Sequence, residues 1–72
     1  MKVKVFYLYE RSPKVKLVEI GGELTLSQFL YKLGIRYDSV VVAVNGRVVH
    51  KPHVITLKEG DSIEILELSD GG

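Results

Sequence analysis

The residues best placed for chemistry are the last four, Ser69-Asp70-Gly71-Gly72, which follow an apolar segment from Ile63 to Leu68. Glycine has no Cβ, so a Gly-Gly end is slim, conformationally free and able to enter a channel that excludes ordinary side chains. The reactive group is then expected to be the α-carboxylate of Gly72, with Gly71 and Asp70 threaded behind it. Four extended residues reach about 13 Å, far enough to place that carboxylate inside a partner while the preceding domain stays outside. A frayed end is the ordinary state of a terminus. The strand leading into the glycines favours the chemical use.

Other constellations are weaker. His50 and His53 are two potential metal ligands without a third, both beside Pro52, and are expected to be solvent-exposed histidines with no metal. Lys2, Lys4, Lys14 and Lys16 make the first strands basic, and Tyr7, Tyr9, Tyr31 and Tyr37 supply aromatic rings, but Glu10, Glu19 and Glu23 are interleaved with them. That mixture describes a solvated face whose edge lysines discourage strand-to-strand pairing, and not a nucleic-acid surface. No Ser, His and Asp set, Gly-rich phosphate loop or paired carboxylates stand out, and a hydrolase needs a cleft that a chain of 72 residues hardly builds. No catalytic residue is assigned, and the chain is not expected to be an enzyme.

Composition narrows the partner. Ten Lys plus Arg against nine Asp plus Glu leave a net charge of +1 spread along the chain, which exerts little pull on nucleic acid or anionic membrane and points to a protein partner. The start, MKVKVFYLYE, alternates lysine with apolar residues and lacks the apolar core of a signal peptide, and no run approaches a membrane span, so a cytoplasmic location is expected. With no cysteine, neither disulfides nor thiolate metal sites nor an iron–sulfur cluster can supplement the core. Few Asn, Gln and Met beside many Lys, Glu and Val resemble a thermophile's composition. A domain of this size buries only roughly 60% of its unfolded surface, so packing has to be efficient.

The elements that position the tail can be followed in order. Lys2 to Tyr9 alternates as a strand, with Val3, Val5 and Tyr7 on one face and Lys2, Lys4, Phe6 and Leu8 on the other. Glu10 to Lys14 reads as a turn, Val15 to Ile20 as the returning strand, and Gly21-Gly22 as its end. Thr25 and Gln28 form a capping box, Leu24 and Phe29 stand at hydrophobic-staple positions, and Leu26, Phe29, Leu30 and Leu33 make one helical stripe that Gly34 terminates. A helix this short needs a sheet to pack on. Val40 to Val44 is a continuous apolar strand, Asn45-Gly46 predicts a type I′ hairpin, and Arg47 to His50 pairs back. Pro52 ends that pairing, so His53 to Leu57 is expected to cross as a loop or short turn to the last strand, after the turn at Glu59 to Asp61.

Hairpin, helix, hairpin, crossing and last strand give an α+β fold: a mixed sheet of four to five strands with one helix across one face and the first and last strands parallel. This is the β-grasp arrangement, expected over residues 1–68 with residues 69–72 as a flexible tail. Phe6 and Leu8 on the first strand and Leu66 and Leu68 on the last are then candidates for an apolar docking patch on the face away from the helix, beside the root of the tail. Their burial in the core is the competing explanation.

The helix opening at Thr25, the hairpin VVVAVNGRVV from Val40 to Val49, the segment LKEGDSIEIL from Leu57 to Leu66 and the terminal Gly71-Gly72 together resemble the β-grasp sulfur carriers of the ThiS and MoaD type, relatives of ubiquitin. The resemblance implies a carrier, with no cofactor of its own. An adenylyltransferase of the ubiquitin-activating type would use ATP to convert the Gly72 carboxylate into an acyl-adenylate, and sulfur from a donor such as a cysteine desulfurase would displace AMP to leave a thiocarboxylate. The acceptor would be a thiazole synthase in thiamine biosynthesis or the large subunit of molybdopterin synthase in molybdenum cofactor biosynthesis; tRNA thiolation uses the same electrophile. The short connection from Ile35 to Ser39 leaves no room for a further helix, which is more similar to the thiamine branch. Asp70 departs from the small or apolar residue usual at that place. The alternatives are a ubiquitin-like modifier joined through Gly72 to target lysines, and a non-covalent interaction module. The free carrier is expected to be a monomer.

Overall fold

The computed structural model describes residues 1–68 and is a five-stranded sheet crossed by one helix. Strands β1 (Lys2–Tyr7) and β2 (Lys14–Glu19) form the first hairpin, helix α1 (Leu26–Lys32) follows, and β3 (Val40–Val44) and β4 (Arg47–Val49) form the second hairpin. Strand β5 (Ser62–Leu68) closes the sheet in the order β2-β1-β5-β3-β4. β5 runs parallel to β1 and antiparallel to β3, so the last strand is central, as the β-grasp arrangement requires. The connection from Ile35 to Ser39 holds one 3-10 turn, Tyr37–Ser39, and the crossing after β4 opens with another, Pro52–Val54. Proline suits the first position of such a turn because its missing N–H has no partner there to lose. None of the helices in the described residues is long and apolar enough to cross a membrane.

The helix forms where the sequence marks it. Thr25 Oγ1 accepts from the Gln28 amide at 3.2 Å while the Thr25 amide donates to Gln28 Oε1 at 2.9 Å, completing the capping box. At the other end Gly34 takes φ +79°, its N–H donates to the Tyr31 carbonyl and the Ile35 N–H to the Leu30 carbonyl, both at 2.9 Å. These two bonds are the Schellman pair, and they turn Ile35 back onto the core. The N-terminus of α1 is tied to the crossing by Leu26 N–H to the Ile55 carbonyl at 2.8 Å and Leu57 N–H to the Leu24 carbonyl at 2.9 Å. Leu26, Phe29 and Leu30 then lie over Val3, Val5, Val42, Ile63 and Ile65, with Ile20 and Leu57 closing the ends of the core.

The register of β5 is fixed from both sides. On the β3 side, Asn45 and Gly46 adopt the positive φ values of a type I′ turn, +51° and +85°. Asn45 Nδ2 donates to Asp61 Oδ1 at 3.0 Å, Ser62 N–H donates to Asn45 Oδ1 at 2.9 Å, and Gly46 N–H donates to Glu64 Oε1 at 3.0 Å. On the β1 side, Gly60 N–H donates to the Lys2 carbonyl at 2.8 Å and Lys2 N–H to Glu59 Oε1 at 3.0 Å. A one-residue slip would move every apolar side chain of the strand to the wrong face, and these bonds oppose it.

Several boundaries differ from the sequence expectation. β1 ends at Tyr7 and not Tyr9, although the Leu8 amide still bonds the Ile65 carbonyl at 2.9 Å; β2 ends at Glu19 and β4 at Val49. The larger difference lies in β5, where a register shift against β3 falls between Val41 and Val42. Val42 faces Ile65 and Val41 faces Glu67, so Leu66 is the extra residue of a β-bulge.

Candidate docking face and tail root

Directly paired residues of neighbouring strands point to the same side of a sheet, so the registers define the face opposite the helix. Its central row reads Val15, Phe6, Glu64, Ala43, Val48 from β2 to β4. Toward the start of β5 the adjacent row is Leu17, Lys4 and Ser62. Toward its end, where the chain leaves for the tail, Leu8, Leu66 and Val41 come together, with the exposed Glu67 paired to Val41 at their margin. The face therefore becomes more apolar toward the tail root. Leu8, Leu66 and Val41 are 41%, 39% and 40% exposed, and Val48 and Val15 are half exposed, while Phe6 is half-buried. Glu64 stands alone as an acid in the central row, and its carboxylate is engaged by the Gly46 amide.

The structure brings together three of the four residues assigned to this patch from sequence: Phe6, Leu8 and Leu66. Leu68 is a correction. Strict alternation puts it beside Leu66, but the bulge adds one residue to the count, and Leu68 faces Val40, whose side chain packs against the core under the helix. Val15, Val41 and Val48 also belong to the face, although no local sequence pattern marks them. For β3 the reason is clear: Val40 to Val44 is an unbroken apolar run, the pattern of a strand buried on both faces, whereas here one face has no cover.

At the same end of the sheet, on the helix side, Tyr7 packs edge to face with Tyr9 at 6.4 Å between centroids, and Lys16 Nζ lies 5.6 Å from the Tyr7 ring centre. Burial raises the Tyr7 hydroxyl above its ordinary value, with smaller contributions from Tyr9 and Glu10, so this phenol is neutral at physiological pH and is no general base. His50 and His53 are both exposed, and no cluster of three His, Asp or Glu suited to a metal occurs among the described residues. Asp70, Gly71 and Gly72, which carry the expected chemistry, lie outside the described residues. What the described residues supply is a rigid central strand that ends beside an uncovered apolar surface.

Comparisons with known proteins agree with this architecture. No curated protein sequence matches the chain. Among solved structures, the thiamine biosynthesis protein ThiS from Geobacter metallireducens is similar over 100% of both chains, with 27% sequence identity and a TM-score of 0.67. The model of the ThiS family matches residues 3–72, a span that includes both terminal glycines as well as the sheet and helix described above. With nearly its whole length matched, the chain belongs to the ThiS family.

Proposed function

We propose that this protein is a sulfur carrier of thiamine biosynthesis, charged at the carboxylate of Gly72, and that it performs no catalysis itself. The observation that carries the proposal is the family match through Gly72, supported by an apolar face that borders the root of the tail. In the first step a carboxylate oxygen of Gly72 attacks the α-phosphorus of ATP on an activating adenylyltransferase, and pyrophosphate leaves. In the second, sulfide attacks the acyl carbon and AMP departs with the bonding pair, leaving a thiocarboxylate. A persulfide in place of sulfide gives an acyl disulfide, which a further thiol reduces to the same product. A carboxylate is a poor electrophile and AMP a good leaving group, so activation is what makes the exchange feasible.

The carrier's own contribution is presentation. Leu8, Leu66, Val41 and Phe6 dock on the activating enzyme and later on the acceptor, a thiazole synthase, while Asp70 and Gly71 pass through each enzyme's channel. ATP-dependent charging places this work in the cytoplasm. The single 3-10 turn between α1 and β3 agrees with the thiamine branch and not with a longer molybdopterin-type connection. Appending one alanine after Gly72 tests the proposal: the extended protein is expected to support no adenylate-dependent ATP–pyrophosphate exchange and to accept no sulfur. Exchange at the level of the unmodified protein would overturn it.

A further inference from the structure

The two edges of the sheet are built differently. β4 is three residues long and runs into the Pro52 turn, which blunts that edge. β2 has six residues, no bulge and no internal proline, and among the described residues nothing pairs with its outer side. Met1 and Ile20 exchange both backbone hydrogen bonds, at 2.7 and 2.6 Å. Because antiparallel pairs alternate, Val18, Lys16 and Lys14 also direct their N–H and C=O groups at β1, and Val15, Leu17 and Glu19 direct theirs outward. The side chains of Val15 and Leu17 are 59% and 63% exposed.

We propose that β2 is a self-association edge, through which two copies of this chain pair antiparallel about a two-fold axis at Leu17. Charge and hydrogen bonding select that register. Faces continue across such an axis only if paired residues have the same parity along the strand. Centring on Leu17 pairs Leu17 with Leu17, Val15 with Glu19, Lys16 with Val18 and Lys14 with Ile20 of the second copy. All outward N–H and C=O groups of Val15, Leu17 and Glu19 are then bonded, and no like charges meet. Centring on Lys16 places two ammonium groups directly opposite and sets Glu19 against Pro13, which has no N–H. Centring on Val18 leaves Val15 facing Gly21, beyond the strand. Lys16 therefore excludes one competing register and the end of the strand the other, while the Leu17-centred register is permitted. The pairing leaves the carrier chemistry open: the two β5 strands stand five strand spacings apart, about 24 Å, and run in opposite directions.

A single strand pair buries less than about 1,200 Å², so the dimer is weak, with a dissociation constant of order 0.1 mM. Sedimentation equilibrium from about 20 µM to about 1 mM protein is expected to show the mass rising from monomer toward dimer. Over the same range the amides of Val15, Leu17 and Glu19 are expected to exchange about fourfold more slowly, while those of Lys16 and Val18, already bonded to β1, stay constant. Leu17→Pro removes an outward N–H and Leu17→Lys opposes two charges; both are expected to remain folded by circular dichroism and to stay monomeric. Should either variant unfold, the alternating amide pattern of the unmodified protein still decides. A monomer throughout the range, exchange at Val15, Leu17 and Glu19 that ignores concentration, or folded Leu17 variants that still dimerise would each overturn the proposal.

Discussion

Both faces of the sheet carry large apolar side chains, and those side chains have opposite fates. Under the helix, Val3, Val5, Val42, Ile63 and Ile65 are all but inaccessible. On the other side Phe6, Leu66 and Val41 come from the same three strands, with Leu8 just after β1 and Val48 on β4, and all stay partly or largely exposed. Folding explains the first set, because burying an aliphatic side chain contributes about 1.5–3 kcal/mol. It does not explain the second. A small domain that keeps contiguous apolar surface exposed gives up solubility for it, and the surface sits where the tail leaves. Under the proposed carrier function, the covered face supplies stability and the open face is the one left for recognition.

The largest effect that tests this division is on the covered face. Phe29→Ala is expected to lose about 3–5 kcal/mol, which for a domain this small lowers the melting temperature by at least about 12 °C or abolishes folding, measured by thermal unfolding. On the open face, Leu8→Asp combined with Leu66→Asp is expected to leave the melting temperature nearly unchanged and to weaken binding to the activating adenylyltransferase by at least about 30-fold, equivalent to about 2 kcal/mol, in a titration. A large loss of stability instead would make the open face part of the core and break the comparison. Leu66 and Leu68 sharpen it, because the bulge puts neighbours in alternation on different sides. Leu68→Ala is expected to cost about 1 kcal/mol of stability and little binding, and Leu66→Ala the reverse, when both are assayed in parallel. An effect of similar size belongs to neither face: Thr25→Ala removes the cap that orients α1 and is expected to cost about 1 kcal/mol in chemical denaturation, with binding intact.

Much of this arrangement is legible in the sequence where a local rule is strong. Thr25, Gln28 and Gly34 mark the helix because caps are satisfied within a few residues, and Asn45-Gly46 marks a hairpin because few other pairs tolerate two positive φ values. The central place of β5 follows from the order of elements. What is not legible depends on contacts between distant residues. The bulge at Leu66 arises from how β5 meets β3, so alternation along β5 alone misplaces Leu68. The Asn45, Asp61 and Ser62 clamp joins residues 16 and 17 positions apart and leaves no local pattern. The unbroken run of β3 conceals that one of its faces is open, and only the sheet order shows that nothing covers Val41 and Val48.

The candidate site divides in the same way. Glycines at the end of the sequence are visible by residue type, and Phe6 and Leu8 by parity in a regular strand. The face they belong to becomes visible only when five strands are set side by side, because Val15, Phe6, Leu66, Val41 and Val48 are scattered over more than half of the chain.

Charging at Gly72 is tested most directly by intact-protein and fragment mass spectrometry after incubation with ATP, a matching adenylyltransferase and a sulfide source. One oxygen is expected to be replaced by sulfur at the carboxylate of Gly72, and the Leu8→Asp and Leu66→Asp double variant, though folded, is expected not to be charged. An unmodified Gly72 carboxylate under conditions that charge another ThiS-family carrier would contradict the carrier function, as would Gly72 found in an isopeptide bond to a lysine.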